Sequence, residues 1–421
     1  MAIFSIAGKG LKLDSKEDIE KHAQPLIDSA EYTSIDLSGN TLGVNACAAL
    51  APLLQKQSKL QFADLHDIFT GRLVEEIPPA LNDLLVALLS CQQLTTIDLS
   101  DNAFGLKTKE PLVDFLAKHV PLQHLILNNN GMGPIAGASI AEALTNLAKK
   151  KDAARKDGKA VLDLESVVCG RNRLENGSME AWAEAYRAHS GMKSVKMTQN
   201  GIRPEGISLL ISNGLSACKN LEVVDLQDNT FTNTGATALA KTLSKWSHLK
   251  ELGVGDSLLG ARGSVKVFEA LAAGHNKKLE ILRLEFNDIT PSGVKALLRA
   301  AQEGLPALRR VELNGNKFEE EDSAVEDLAV LLSERKDERG SSEDPENHWG
   351  VGDLDELEGE DEEEEEGEEE QEGEEGEGED EEESKREKTL KEADQAEETA
   401  VPLEKDAEVD ALADMLGKTK V

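Results

Sequence analysis

Apolar and polar residues alternate along this chain in one recurring frame, L-x-x-L-x-L-x-x-N-x-L, and a frame that recurs at a fixed period is the signature of a repeat architecture. It appears as YTSIDLSGNTL, LTTIDLSDNAF, LQHLILNNNGM, LESVVCGRNRL, MKSVKMTQNGI, LEVVDLQDNTF, LEILRLEFNDI and LRRVELNGNKF, with degenerate copies LQFADLHDIFT and LKELGVGDSLL between them. The Asn position is occupied in turn by Asn40, Ile68, Asn102, Asn130, Asn172, Asn200, Asn229, Ser257, Asn287 and Asn316. The spacing is 28–30 residues, apart from one step of 34 and one of 42. Within each unit, alternating apolar residues such as Ile35 and Leu37, or Val224 and Leu226, predict a short strand with one buried face. The Asn predicts a sharp turn, its amide able to bond backbone groups of the neighbouring turn. Stretches such as GATALAKTLSKW and GVKALLRAAQE then carry helical apolar spacing. No strand–helix unit can bury its own apolar face, so the units must stack into a curved α/β solenoid. Strands line its concave side as a parallel sheet and helices cover its convex side.

Repeats of this length, each with a full helix, resemble the ribonuclease-inhibitor class of leucine-rich repeats. Residues 1–340 hold about 11 such units, capping units included. FSIAGKGLKL and the helical pattern before Tyr32 make an atypical first unit, and FEEEDSAVEDLAVLLSERK a closing helix. Two stretches break the period: FTGRLVEEIPP (69–79), read as an extended loop, and KDAARKDGKA (151–160), a charged excursion.

Charge separates the chain into two parts. Its 421 residues carry 46 Lys plus Arg against 81 Asp plus Glu, a net of −35. From Ser341 onward there are 36 acidic and 7 basic residues, so −29 lies in the last part and −6 in the repeats. The segment 341–400 has too few apolar residues to offset its ordering entropy and is expected to be disordered. Residues 401–421 include AEVDALADMLGK, whose spacing suits a short helix. So acidic a chain is repelled by phosphate, which argues against nucleic acid or an anionic membrane as partner. No apolar run is long enough to cross a bilayer. Cys47, Cys91, Cys169 and Cys218 sit singly in apolar patterns, as buried reduced thiols do.

No Walker loop, GxSxG, HExxH or dinucleotide fingerprint is present, and the His residues fall in no ligand spacing, so neither a metal nor a cofactor is expected. Recognition of a macromolecule on the concave face or its rim is then the default for a solenoid. Misfits to the frame are the places to search. At Ile68 the frame fails, and the loop after it displays Arg72 as a long cation on the rim, although a lone loop arginine is more often simply solvated. In NNNGMGP the frame makes Asn130 structural and frees Asn128 and Asn129. Asn129 takes the rim position that Asp101 and Asp228 hold in other units; it is either a plain polar turn residue or an uncharged amide that orients a water or a partner's side chain. Outward strand positions carry Asp36, Asp98, Asp225, Glu285 and Glu312, an acidic stripe suited to a basic protein.

The segments DIFTGR…EIP, SDNAFG, NNNGMGP, CGRNRLENGS, QNGIRPEG and LQDNTFT resemble the family of GTPase-activating proteins of the small GTPase Ran. That resemblance implies a monomeric cytoplasmic activator, not itself an enzyme, that binds Ran in its GTP form, together with a Ran-binding protein. It maintains the cytoplasmic GDP form on which directional nuclear transport depends. The family's functional arginine falls on Arg72 and its asparagine on Asn129. The arginine does not enter the nucleotide pocket; the activator helps the GTPase position its own glutamine, while GTP and Mg²⁺ belong to the partner. Partner contacts are then expected at Asp36, Asp98, Asp101, Asn128, Asp225, Asp228, Glu285 and Glu312. Repeats followed by an acidic tail also resemble acidic leucine-rich nuclear phosphoproteins, which leaves a non-catalytic histone chaperone or inhibitor as the alternative.

Overall fold

The computed structural model describes residues 2–339 and 349–357. The first half of the repeats runs β1 (Ile3–Ser5), β2 (Lys12–Leu13), α1 (Lys16–Asp28), β3 (Ser34–Asp36), β4 (Thr41–Leu42), α2 (Val44–Gln55), β5 (Phe62–Asp64), α3 (Ile77–Leu88), β6 (Thr96–Asp98), α4 (Lys109–Leu116) and β7 (His124–Ile126). It continues with α5 (Gly133–Lys156), β8 (Ser166–Val168), α6 (Met179–Ala188), β9 (Ser194–Lys196), α7 (Pro204–Leu209), β10 (Val223–Asp225), α8 (Thr232–Leu243) and β11 (Glu251–Gly253). The series ends with α9 (Gly260–Ala272), β12 (Ile281–Arg283), α10 (Pro291–Glu303), β13 (Arg310–Glu312), α11 (Ser323–Arg339) and β14 (Gly350–Val351).

Twelve of these strands form one parallel sheet in chain order, and β2 pairs with β4 apart from it. The register is constant: the middle residue of each three-residue strand faces the helices and is buried, as Ile35, Ala63, Ile97, Leu125 and Val167 show. Flanking residues point to the concave side. Sequence periodicity therefore specifies which face is buried, and stacking supplies the burial.

The turn asparagines form an internal ladder, interrupted at Ile68 and Ser257. Asn172 shows the pattern: its Nδ2 donates to Leu127 O at 2.8 Å and Gly170 O at 2.9 Å, and its Oδ1 accepts from Asn130 N at 3.0 Å. Asn172 N in turn donates to Asn200 Oδ1 at 2.9 Å. Each amide thus satisfies backbone groups of its own and the preceding repeat inside an otherwise apolar interior. Where the frame fails, Ile68 is fully buried and its N–H still finds Asn102 Oδ1 at 2.9 Å.

Two expectations from the sequence are corrected here. Residues 151–156 are not an excursion: they extend α5 to 24 residues, and Lys151 is 1% exposed. Its Nζ donates to Val120 O, Leu122 O and Leu162 O at 2.7–2.8 Å, the three carbonyls standing in for a counter-ion. The repeat domain also does not end at 340. Beyond α11, β14 adds to the sheet beside β13, with Gly350 N on Arg309 O and Gly352 N on Val311 O, both at 2.8 Å. Val351, Leu354 and Leu357 pack on the core. The rest of the expected acidic tail, and the helix expected within 401–421, lie outside the described residues.

Candidate functional site

One residue before each ladder position, the backbone turns into the left-handed region. The row is Gly39, Asp67, Asp101, Asn129, Arg171, Gln199, Asp228, Asp256, Phe286 and Gly315, with φ between 47° and 67°. Gly, Asn and Asp meet this conformation at least cost, which accounts for seven of the ten. The N–H groups of the row continue the sheet across the turn: Asp101 N donates to Asn128 O at 3.0 Å, Asn129 N to Gly170 O at 2.9 Å, and Arg171 N to Thr198 O at 2.9 Å. These residues therefore stand side by side on one rim, roughly a strand spacing of about 4.8 Å apart.

Asn129 lies where the sequence placed it: exposed, on that rim, with Asn130 buried beside it in the ladder. Its Nδ2 donates to Asp101 Oδ1 at 2.8 Å. The row around it runs Asp101, Asn129, Arg171, Gln199, Asp228. Two exposed amides, Asn129 and Gln199, thus flank an exposed arginine. Arg171, and exposed Arg173 two residues on, are the displayed rim cations that the sequence reading missed. The signal for them was already present: Arg171 occupies the same frame position as Asp101 and Asn129.

Arg72 is elsewhere, which corrects the expectation of a cation displayed on the rim. Its side chain is 7% exposed and reaches back across two repeats into the N-terminal cap. Nε donates to Thr41 Oγ1 at 2.9 Å, Nη2 to Thr41 O at 2.8 Å and Leu13 O at 3.2 Å, and Nη1 to the Asp14 carboxylate. The guanidinium clamps β2 to β4, and its bond to Asp14 holds that carboxyl below the usual range. Gly43 leaves the space: a Cβ there would stand 3.0 Å from Nη1. The loop carrying Arg72 is folded rather than extended, with Arg72 N on Phe69 O at 3.0 Å and Leu73 N on Glu76 Oε2 at 3.0 Å. What this loop does display is apolar: Leu73 is 68% and Val74 47% exposed, and the Lys107–Glu75 pair at 3.6 Å brings exposed Leu106 of the next loop beside them.

The acidic stripe is broken. In register, the outward row reads Asp36, Asp64, Asp98, Ile126, Val168, Lys196, Asp225, Gly253, Arg283, Glu312. Asp225 is buried, and Glu312 pairs with Arg283 and Arg310 at 3.6 Å, so neither is a free anion for a partner. Asn128 Oδ1 is taken by Gly170 N at 2.7 Å. Asp228 and Glu285 have raised carboxyl pKa values, chiefly from burial, then from neighbouring Asp256 and Glu312 respectively. The acidic positions that remain together are Asp36, Asp64 and Asp98 on adjacent strands, with Asp36 accepting from Ser38 Oγ at 2.7 Å.

His66, two residues after Asp64 on the same side, completes a cluster the sequence spacing did not reveal. Its Nδ1 lies 2.6 Å from Asp64 Oδ1, and candidate ligand atoms of Asp64, His66 and Asp98 all fall within 4.8 Å of one another. Burial alone would lower the His66 pKa. The bond to Asp64 and the charges of Asp64, Asp98 and Asp101 outweigh it and raise the pKa.

The leucine-rich repeat family model matches residues 217–240 and 275–298. A Ran GTPase-activating protein 1 from Saccharomyces cerevisiae is 44% identical over 332 residues, covering 77% of this chain and 80% of that protein. A Ran GTPase-activating protein from Drosophila melanogaster is 32% identical over 76% of this chain and 53% of its own length. A ribonuclease inhibitor from Sus scrofa is 31% identical over 160 residues, 38% of this chain and 34% of that protein. It stands with the α/β solenoid of long repeats that the frame dictates. Identity of 44% across four-fifths of a relative goes well beyond a shared repeat period, and this chain belongs to the Ran GTPase-activating protein family.

Proposed function

We propose that the chain accelerates GTP hydrolysis by Ran, acting in trans on the GTP form of that GTPase. Family membership carries the reading, and the exposed, backbone-anchored Asn129 supports it. Small GTPases hydrolyse GTP slowly because the attacking water is poorly oriented and charge on the transferring phosphoryl group is incompletely stabilised. A fixed rim amide can hold a partner side chain, such as a glutamine that positions the water, without losing freedom at the moment of reaction. Arg72, enclosed in the N-terminal cap, acts by holding that end of the solenoid rather than by touching nucleotide. The chain has no self-contained active site in this reading, and GTP and Mg²⁺ are bound by the partner. Leu73, Val74 and Leu106 offer apolar contact surface, and the Asp36–Asp64–Asp98 group acidic contact surface. A monomer working in the cytoplasm, with a Ran-binding protein as an additional partner, would keep cytoplasmic Ran in its GDP form.

The test is phosphate release from GTP-loaded Ran with catalytic amounts of the full chain. An acceleration of roughly 10³–10⁵ is expected, with most of it lost in Asn129→Ala. No acceleration by the wild-type chain would end the proposal.

A further inference from the structure

We propose that Asp101 is a positioning residue for Asn129, orienting the rim amide so that its oxygen faces the partner. The inference rests on Asn129 acting on the GTPase. A carboxylate only accepts hydrogen bonds, whereas the two ends of an asparagine amide differ, Nδ2 donating and Oδ1 accepting. The 2.8 Å contact between Asn129 and Asp101 can therefore be made through Nδ2 alone. With one amide hydrogen committed to Asp101, the amide cannot flip without placing oxygen against oxygen. Oδ1 is left pointing away from Asp101 as an acceptor for an N–H or O–H donor of the partner.

The backbone allows little slack on either side. Asp101 and Asn129 both sit at left-handed φ values of 60° and 52°, and their N–H groups are bonded to Asn128 O and Gly170 O. Both are exposed, so the bond adds little to the fold and would be idle there. An exposed amide without it would sample both orientations and several rotamers, and a partner would have to select one of them. Asp67 of the same rim instead takes the Thr70 hydroxyl of its own loop. Arg171 stands on the far side of Asn129, so no second carboxylate of the row competes for the amide.

Single-turnover phosphate release from GTP-loaded Ran, with activator concentration varied, separates the maximal rate from half-saturation. Asp101→Ala should lower the maximal rate by roughly tenfold, with half-saturation within about a factor of two and the unfolding midpoint unchanged. The double variant Asp101→Ala/Asn129→Ala should be no slower than Asn129→Ala alone, because Asp101 acts only through that amide. Three outcomes overturn the proposal: an unchanged maximal rate in Asp101→Ala, an effect confined to half-saturation, or losses that multiply in the double variant. If Asn129→Ala keeps the full rate, the proposal falls with it while the activator reading stands. Failure of the wild-type chain to stimulate removes the activator reading itself.

Discussion

Asn172 and Asn129 are the same residue type, and stacking gives them opposite duties. Asn172 is fully buried, and replacing it with Ala leaves Asn130 N and Leu127 O without partners in the interior. Each orphaned group costs about 1–3 kcal/mol, so Asn172→Ala should lose about 2–5 kcal/mol in guanidinium unfolding. Asn129→Ala, on the rim, should stay within about 0.5 kcal/mol of the wild type in the same measurement. The 28-residue frame made that distinction legible in sequence, since only one Asn of NNN can fall on the ladder. Arg72 was not legible. Its type and its loop suggested display, but the clamp on Thr41 and Leu13 depends on two other repeats folding against it. Arg72→Ala should therefore lower stability by about 1–3 kcal/mol through the lost bonds to Thr41 and Leu13. Any fall in stimulated GTPase rate should come with that loss, and a normal unfolding midpoint would refute the clamp.

Among the elements, α5 departs furthest from its pattern. A charged stretch signals a solvated loop by composition, yet here a single buried cation ties three carbonyls and lets the helix run on to Lys156. Lys151→Met keeps the volume and strands those carbonyls, so a loss of about 2–4 kcal/mol is expected in chemical denaturation. His119 and His189 play comparable parts after α4 and α6, with Nε2 on Leu94 O at 2.7 Å and on Leu144 O at 2.8 Å. Burial pushes both imidazoles down to about 4, against 6.5 unfolded. A buried base that resists protonation lets the unfolded chain bind more protons. Their contribution is thus complete above pH 6.5 and is lost as pH falls toward 4. The unfolding midpoint should decline across that window, and His189→Gln should flatten the decline.

At the scale of the whole molecule, a sheet built of three-residue strands needs closed ends. Arg72 serves the N-terminal end. Residues 349–357 serve the other, where Asn314 Nδ2 meets Asp355 Oδ1 at 2.8 Å and Glu356 N donates to Asn314 Oδ1 at 2.9 Å. A chain ending at 339 exposes the edge of β13 and the surface under Val351, Leu354 and Leu357, and should lose about 2–4 kcal/mol and tend to associate. A chain ending at 357 should keep the wild-type midpoint. Equal midpoints for the two truncations would remove residues 349–357 from the cap.

The sequence by itself determined the repeat, the strand and helix of each unit, the buried face and the asparagine ladder. Apolar period and turn chemistry are local, and ten copies average out local exceptions. Tertiary structure alone decided which side chains meet: Arg72 with Asp14 across 58 residues, His66 with Asp98 across a strand pair, Asp101 with Asn129 across one turn of the solenoid. Those contacts depend on how repeats lie beside one another. A frame that is nearly the same in every repeat says where each residue stands, while its partner is set by whatever the neighbouring repeats carry at the matching position.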